Sequence, residues 1–415
     1  PLQYELVSTN TSTNGEIIPN ISKTDITGTS IELGSGKFAK ANNAKHTYVL
    51  KIYYPKKATS QNTNQGATFS AHVEITSAKA PTAPTVSNLA ETILAKNEVK
   101  TPITTPGAAI STADEALLAS AEDDNGTSYY FRGAVTNNYV EFANKCWRIV
   151  RVGGDGSVKL ILHNDNPTGA ANPCDSANNS TSAAFARYSG TTYKSAFNTN
   201  YDDNAYVGFK YGTVGSNTYA TTHANTNNST ILTNLGTWYN NDNFKKYEKV
   251  IADTVWCNDK TNVKDTTFDP WSRNPNGFGY AKNVTYYGAT QRLVSTSGSA
   301  GGAGPSLKCN GELSKITSKV GLITADELAF AGYAYGENNS TTYLQENATD
   351  AYWWSLSPNY FNDVNADAWY VNGSSGFISG SGVCDAFGVR PSISLKSSTT
   401  FSNGSGTSGD PYVVE

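Results

Sequence analysis

The chain has 415 residues, two to three times the size of a usual domain. Only 16 % of residues are charged and the net charge is −4, which excludes the polybasic face of a nucleic-acid or membrane-surface binder. Apolar residues make up 38 %, enough with 36 glycines to exclude disorder throughout, and no apolar run reaches the roughly 18 residues that span a bilayer. Opening at Pro1 without a single Met, the chain reads as a processed or excised product. Its polarity comes from amides and hydroxyls. There are 43 Asn and 25 Tyr, a mix that suits β-structure and long ordered loops.

Residues 1–78 read as a small all-β sandwich of immunoglobulin-like kind. Pro1 to Val7, Tyr48 to Tyr54 and Ala67 to Ile75 alternate as strands do, and the last follows the polar loop Gln61 to Gly66. The opening strand starts at the first residue, which suggests one accessible sheet edge. That edge would be filled by strand exchange with upstream sequence or a neighbouring subunit, or else closed by residues 8–36. Residues 79–112 read as a linker, stiff over Ala80-Pro81-Thr82-Ala83-Pro84-Thr85. One short helix is capped by Asn88 and runs to Lys96.

Residues 113–415 read as one large domain. Tyr129 to Gly133 and Tyr139 to Phe142 are strand-like. Cys146 to Val152 and Val158 to Leu162 flank Gly153-Gly154-Asp155-Gly156 and predict a hairpin. Ile231, Leu235 and Trp238 recur at helical spacing within 228–239. Thr324 and Glu327 form a capping-box pattern that opens a helix ended by Gly332. Few helices among many short strands predict an α+β fold.

Five cysteines, Cys146, Cys174, Cys257, Cys309 and Cys384, form no CxxC pair, and His is scarce, so a zinc site is not expected. A Cys257–Cys309 disulfide is expected, with Cys384 free. Cys146–Cys174 is a further possible pair, against the alternative of small buried thiols.

The most informative stretch is Tyr352-Trp353-Trp354-Ser355-Leu356-Ser357-Pro358, then Ala368-Trp369-Tyr370-Val371-Asn372, then Gly388-Val389-Arg390-Pro391-Ser392-Ile393-Ser394-Leu395. Its ends are apolar, so Trp353, Trp354, Val389 and Ile393 are expected in the core. Its middle mixes Asn, Ser, Gly and aromatics, as contact surfaces do. This frame, with FRGAVTNNYVEFANKCWRIVRV, GLITADELAFAG and GTSGDPYVV, resembles C-type-lectin-fold variable proteins of diversity-generating retroelements. Their core is of the formylglycine-generating-enzyme type. The resemblance spans about residues 120–413. Residues 1–78 resemble, more weakly, β-sandwich domains of bacterial surface proteins.

The resemblance implies a C-type-lectin-like domain whose variable-type segment, 353–395, presents the ligand-facing residues. Here these are Asn359, Tyr360, Phe361, Asn362, Asp363, Asn365, Asp367, Trp369, Tyr370, Asn372, Ser374, Phe377, Ser379, Ser381, Cys384, Asp385 and Phe387, expected mostly on one exposed surface. The expected partner is a protein or glycan on another cell or phage surface, the expected location the cell surface. Glu-Pro-Asn and Gln-Pro-Asp triplets are missing, so calcium-mediated sugar binding is not implied. Asp363-x-Asn365-x-Asp367 lacks the Gly and Glu of an EF-hand loop and reads as a polar contact loop. Cys384 has no nearby His base, and no GxSxG, HExxH or P-loop occurs, so neither catalysis nor a cofactor is expected. Asp326 and Glu327 read as caps, and Arg390 as half of a buried ion pair. The alternative is a structural surface or filament protein without a specific ligand.

Overall fold

The computed structural model describes residues 1–10, 14–39, 44–57, 66–74, 87–241 and 244–415. The Ala80 to Thr85 linker, Ile75 and most of the 61–66 loop lie outside these residues. The chain divides into two compact units, Pro1–Ala80 and Pro81–Glu415.

In the first unit, β1 (Gln3–Ser8) is central in a three-stranded antiparallel sheet, between β2 (Ile21–Asp25) and β3 (Tyr48–Tyr53). Tyr4 and Leu6 point the same way and are buried, as the strand period of two demands. The opening strand is paired on both sides, and the strand that closes one of them, β2, comes from residues 8–36; among the described residues the edges of this sheet are β2 and β3. The stretch expected as a strand at 67–75 is irregular and exposed over its described residues, 67–74. Gly15–Glu16 and Lys37–Phe38 add a two-residue ribbon.

The second unit is α+β. One antiparallel run is ordered β14-β8-β7-β5-β4, comprising Ser392–Leu395, Val158–Asn164, Lys145–Val152, Gly126–Gly133 and Ala116–Asp123. Beside β7, β6 (Tyr139–Phe142) pairs in parallel with β15 (Tyr412–Val414). The β7–β8 hairpin forms where alternation predicts it, around 153–157. A second sheet is built on β10 (Trp353–Phe361), β11 (Ala366–Val371) and β12 (Ile378–Gly382). To it β9 (Thr285–Tyr286) and β13 (Phe387–Gly388) add short pairings.

Among the described residues, four helices longer than a single turn pack with these sheets, and Tyr219–Thr222 forms one further turn. α1 (Leu89–Lys96) is capped by the Asn88 side chain, which accepts from the Glu91 N–H. It buries Leu89 and Ile93 in the main core, so residues 87–112 belong to the packed unit rather than to a free linker. α2 (Thr230–Asn241) buries Ile231, Leu235 and Trp238. α3 is Gly288–Leu293. α4 (Ala325–Ala331) carries the predicted capping box and touches both β5 and β10, tying the two sheets together. Trp147, Trp238, Trp256, Trp353, Trp354 and Trp369 are fully buried, and losing any one would cost about 3–5 kcal/mol. Two disulfides, Cys146–Cys174 and Cys257–Cys309, close the framework and fit an oxidising, extracellular setting. Cys384 is free and exposed. Among the described residues no helix is long and apolar enough to cross a membrane.

Candidate functional site

The anchors behave as their apolar pattern requires: Trp353, Trp354, Val389 and Ile393 are fully buried. The segment between them splits. Asp363, Ser374, Cys384 and Asp385 are exposed, and Tyr360, Asn362, Asn365, Phe377, Ser379, Ser381 and Phe387 are half-buried. Asn359, Phe361, Asp367, Trp369, Tyr370 and Asn372 are buried, which corrects the expectation of one exposed surface for them. The reason is sheet geometry. β11 is covered on both faces, so alternation sends Trp369 and Asp367 to one covered side, Ala368 and Tyr370 to the other.

Several of the polar residues serve the backbone. Asn362 Oδ1 accepts from the N–H groups of Val364 and Asn365. That turn carries Asp363 through a left-handed conformation at φ 77°. Asn372 Oδ1 accepts from the Ser374 and Ser375 N–H groups and the Ser374 hydroxyl. These side chains hold the loops and leave recognition to their neighbours. Asn359 lies against Gly380, where any Cβ would collide with its amide.

What does reach solvent is the ring of Tyr352, seated on an aromatic base. The register sets Tyr370 opposite Ser379 and Ala368 opposite Ser381, so these four share a side of the sheet. Tyr370 stacks on Tyr352 at 5.2 Å, meets Phe387 at 5.2 Å and Phe377 at 6.3 Å. Phe387 in turn stacks on Trp354 at 4.5 Å. Tyr352 is 40 % exposed and rests on this rigid base. Beside it, the Ser381 hydroxyl donates to Asp385 Oδ2 at 2.6 Å.

A second aromatic group centres on the half-buried Trp271, with Tyr360 at 5.1 Å, Tyr286 at 5.3 Å and Tyr335 at 5.9 Å. Sequence reading missed Trp271 and Tyr335, because they come from distant loops with no motif of their own. Asp367 is bonded to Tyr360 there. Burial pushes its carboxyl up to about 7, aided by Asp385, while the Tyr360 hydroxyl and Arg273 oppose the shift.

Asp326 and Glu327 do more than cap α4. Arg292 grips Asp326 through two nitrogens at 2.6 and 2.8 Å and reaches Asp259 at 2.8 Å. Glu327 Oε1 accepts from Lys159 at 2.6 Å and Arg151 at 2.9 Å, and Arg151 also binds Asp123. This network lines a narrow cleft of about 80 Å³ beside the Cys257–Cys309 disulfide. Every carboxylate in the network is matched to a cation, an arrangement that locks α4 to the β7–β8 hairpin. Arg390 is buried but, among the described residues, makes no ion pair. Its guanidinium donates to the carbonyls of Leu162 and Leu344 and lies 4.9 Å from the Trp353 ring, and burial lowers it to about 10. The expected carboxylate partner is replaced by backbone.

A protein family matches part of the chain. It is described as a domain of unknown function, DUF6273, and covers residues 294–397. That stretch contains α4 and β10 to β14, hence the aromatic face and one wall of the ion-paired cleft. No curated protein and no solved structure matches the chain.

Proposed function

We propose that the chain is a bacterial cell-surface ligand-binding protein of the receptor or adhesin type. In this reading a C-type-lectin-like domain, allied to the retroelement variable proteins, follows an immunoglobulin-like module. The observation that carries it is the exposed ring of Tyr352 on a base of Tyr370, Phe377 and Phe387, edged by Ser379, Ser381 and Asp385. Rigid aromatics with adaptable small polar groups give contact area at little entropic cost. The two disulfides support display outside the cell. The ligand is a protein or glycan of another cell or phage surface. The test is a glycan array beside a capture experiment on surface proteins of neighbouring cells, each with the wild type and the Tyr352→Ala variant. Tyr352 is exposed enough that its loss leaves the fold intact, and binding should weaken about tenfold or more. A ligand held equally well by both proteins would overturn the assignment of this face.

A second reading, a structural protein assembling by strand exchange, is favoured by one feature. The edge strand β3 exposes Val49 and Ile52. Light scattering that finds only monomers across a wide concentration range would count against it.

A further inference from the structure

A sheet edge is a template for a further strand, and the second unit covers most of its own edges. In its first sheet, β4 is bridged by Val99 and Leu307, and β14 by Ile251 and Gly321. In its second sheet, the edge strand β12 is covered only at its start. There the Ile378 N–H donates to the Ala334 carbonyl, and the Ile378 carbonyl accepts from the Gly336 N–H. Gly336 then turns at φ 69° and takes the covering segment back on itself, from Ala334 to Glu337. We propose that the rest of this edge, residues 379–382, binds an extended peptide segment as an added strand.

The register decides which backbone groups are open. The Asn372 N–H donates to the Phe377 carbonyl and the Val383 N–H to the Ala366 carbonyl, in line with the β11–β12 ladder. Odd-numbered residues along β12 therefore bond to β11, and even-numbered ones aim their N–H and C=O outward, as Ile378 does. The Gly382 carbonyl is taken by the Asp385 N–H. The Gly380 N–H and C=O and the Gly382 N–H have no partner among the described residues. Both glycines are partly exposed. The pairing of β12 runs without a bulge, and its sequence, Ile-Ser-Gly-Ser-Gly, holds no Lys and no Pro. Those are the usual guards of an edge, and this one lacks them.

Open donors and acceptors at strand spacing select an occupant with the same spacing, which is an extended polypeptide. Its side chains alternate between the two faces of the sheet. On one face Tyr370, Ser379 and Ser381 lie beside Tyr352. On the other, Trp369 meets Tyr335 at 5.8 Å, and Tyr335 meets Trp271 at 5.9 Å. Apolar or aromatic residues at alternate positions suit both. Charge adds a further requirement. Glu337 stands at one end of the edge and Asp385 at the other, both exposed and without an ion pair among the described residues. A segment flanked by Lys or Arg complements them.

The proposal rests on the ligand-binding reading of this region and gives the ligand a class. The test selects random dodecapeptides, displayed on phage, on the full chain, then titrates the enriched peptides by fluorescence polarisation. Gly382→Pro removes the outward N–H at an edge position, where a Cβ would have no neighbour closer than 3.9 Å. Gly382→Ala adds the Cβ and keeps the N–H. Peptides should bind the wild type and the Ala variant within about twofold, and the Pro variant about tenfold more weakly. Methylating alternate backbone nitrogens of a peptide should abolish binding in one phase and spare it in the other, a readout that needs no change to the protein. Peptides lost on Tyr352→Ala but held by Gly382→Pro would overturn the added strand and leave the Tyr352 face standing. Peptides lost on Gly382→Pro alone would support the strand and detach it from that face. No enrichment on the wild type over Gly382→Pro, or indifference to both phases of methylation, would also overturn the proposal.

Discussion

Replacing Glu327 by Gln tests the ion-paired lock between α4 and the β7–β8 hairpin. Gln keeps the shape and still accepts the Thr324 N–H, so the capping box survives. What disappears is the charge that faces Lys159 and Arg151. Arg151 retains Asp123, but Lys159 is buried with Glu327 as its ion-pair partner. Its cation is then uncompensated. Breaking such a pair from one side costs roughly 3–5 kcal/mol. The proton linkage gives a second measure. The neighbouring Lys159 and Arg151 cations outweigh burial and hold the Glu327 carboxyl at about 2, against an ordinary 4.5. That difference is worth about 3 kcal/mol. On Lys159 burial wins and lowers its pKa, so the net loss belongs at the lower end of the range. A carboxyl depressed by folding stabilises the protein above pH 4.5, and this stability fades as pH falls toward 2. The assay is urea unfolding followed by tryptophan fluorescence. All seven Trp lie beyond residue 146, so the signal reports the second unit alone. The variant should be about 3 kcal/mol less stable at pH 7, with a shallower acid slope. Adding Lys159→Met should restore most of the loss, because the orphaned cation is gone. A Gln variant within about 0.5 kcal/mol of wild type at pH 7, with an unchanged acid slope, would refute the reasoning.

Asp367 has the opposite sign. Its pKa is raised to about 7 from an ordinary 3.8, so folding favours its protonated form and wild-type stability falls between pH 4 and 7. Asp367→Asn should be the more stable protein above pH 7, by an amount on the order of 4 kcal/mol, and lose that fall; equal pH profiles would exclude it. Closing loops of 28 and 52 residues, the two disulfides should contribute about 3.5 and about 4 kcal/mol. The half-buried Cys257–Cys309 should open first under mild reductant, ahead of the fully buried Cys146–Cys174, as mass spectrometry of trapped thiols would show. Cys384 should be the one thiol alkylated without reductant. It should react more slowly than a free cysteine, because partial burial and the Asp385 and Asp367 carboxylates raise its pKa. Alkylation at Cys257 or Cys309 in the same experiment would disprove their pairing.

Local patterns were enough wherever the physics is local. Asn88 capping α1, Thr324 with Glu327 opening α4, Gly332 closing it and the glycine turn of the β7–β8 hairpin each depend on residues within a few positions. The buried Trp353, Trp354, Val389 and Ile393 followed from residue type alone, and the Cys257–Cys309 pair from the extracellular character of the chain. Burial within 359–387 did not. Whether a strand has one covered face or two depends on what packs over it. For β11 the cover includes Tyr335, contributed from outside the segment, and Trp271 extends the same aromatic group from some 100 residues upstream. Polar residues written like a contact loop were instead spent on turns, as at Asn362 and Asn372, or pressed inside, as at Asn359 and Asp367. Arg390 makes the same point. Its sequence neighbours predict a buried cation, but only the approach of Leu162 and Leu344 decides that backbone carbonyls, not a carboxylate, receive it. The bonding of Tyr139 and Arg148 to Glu346 was equally invisible, since these residues meet from segments about 200 residues apart. Short-range backbone geometry is encoded in neighbouring residues; side-chain burial and partnership are set by whichever distant segment arrives across the core.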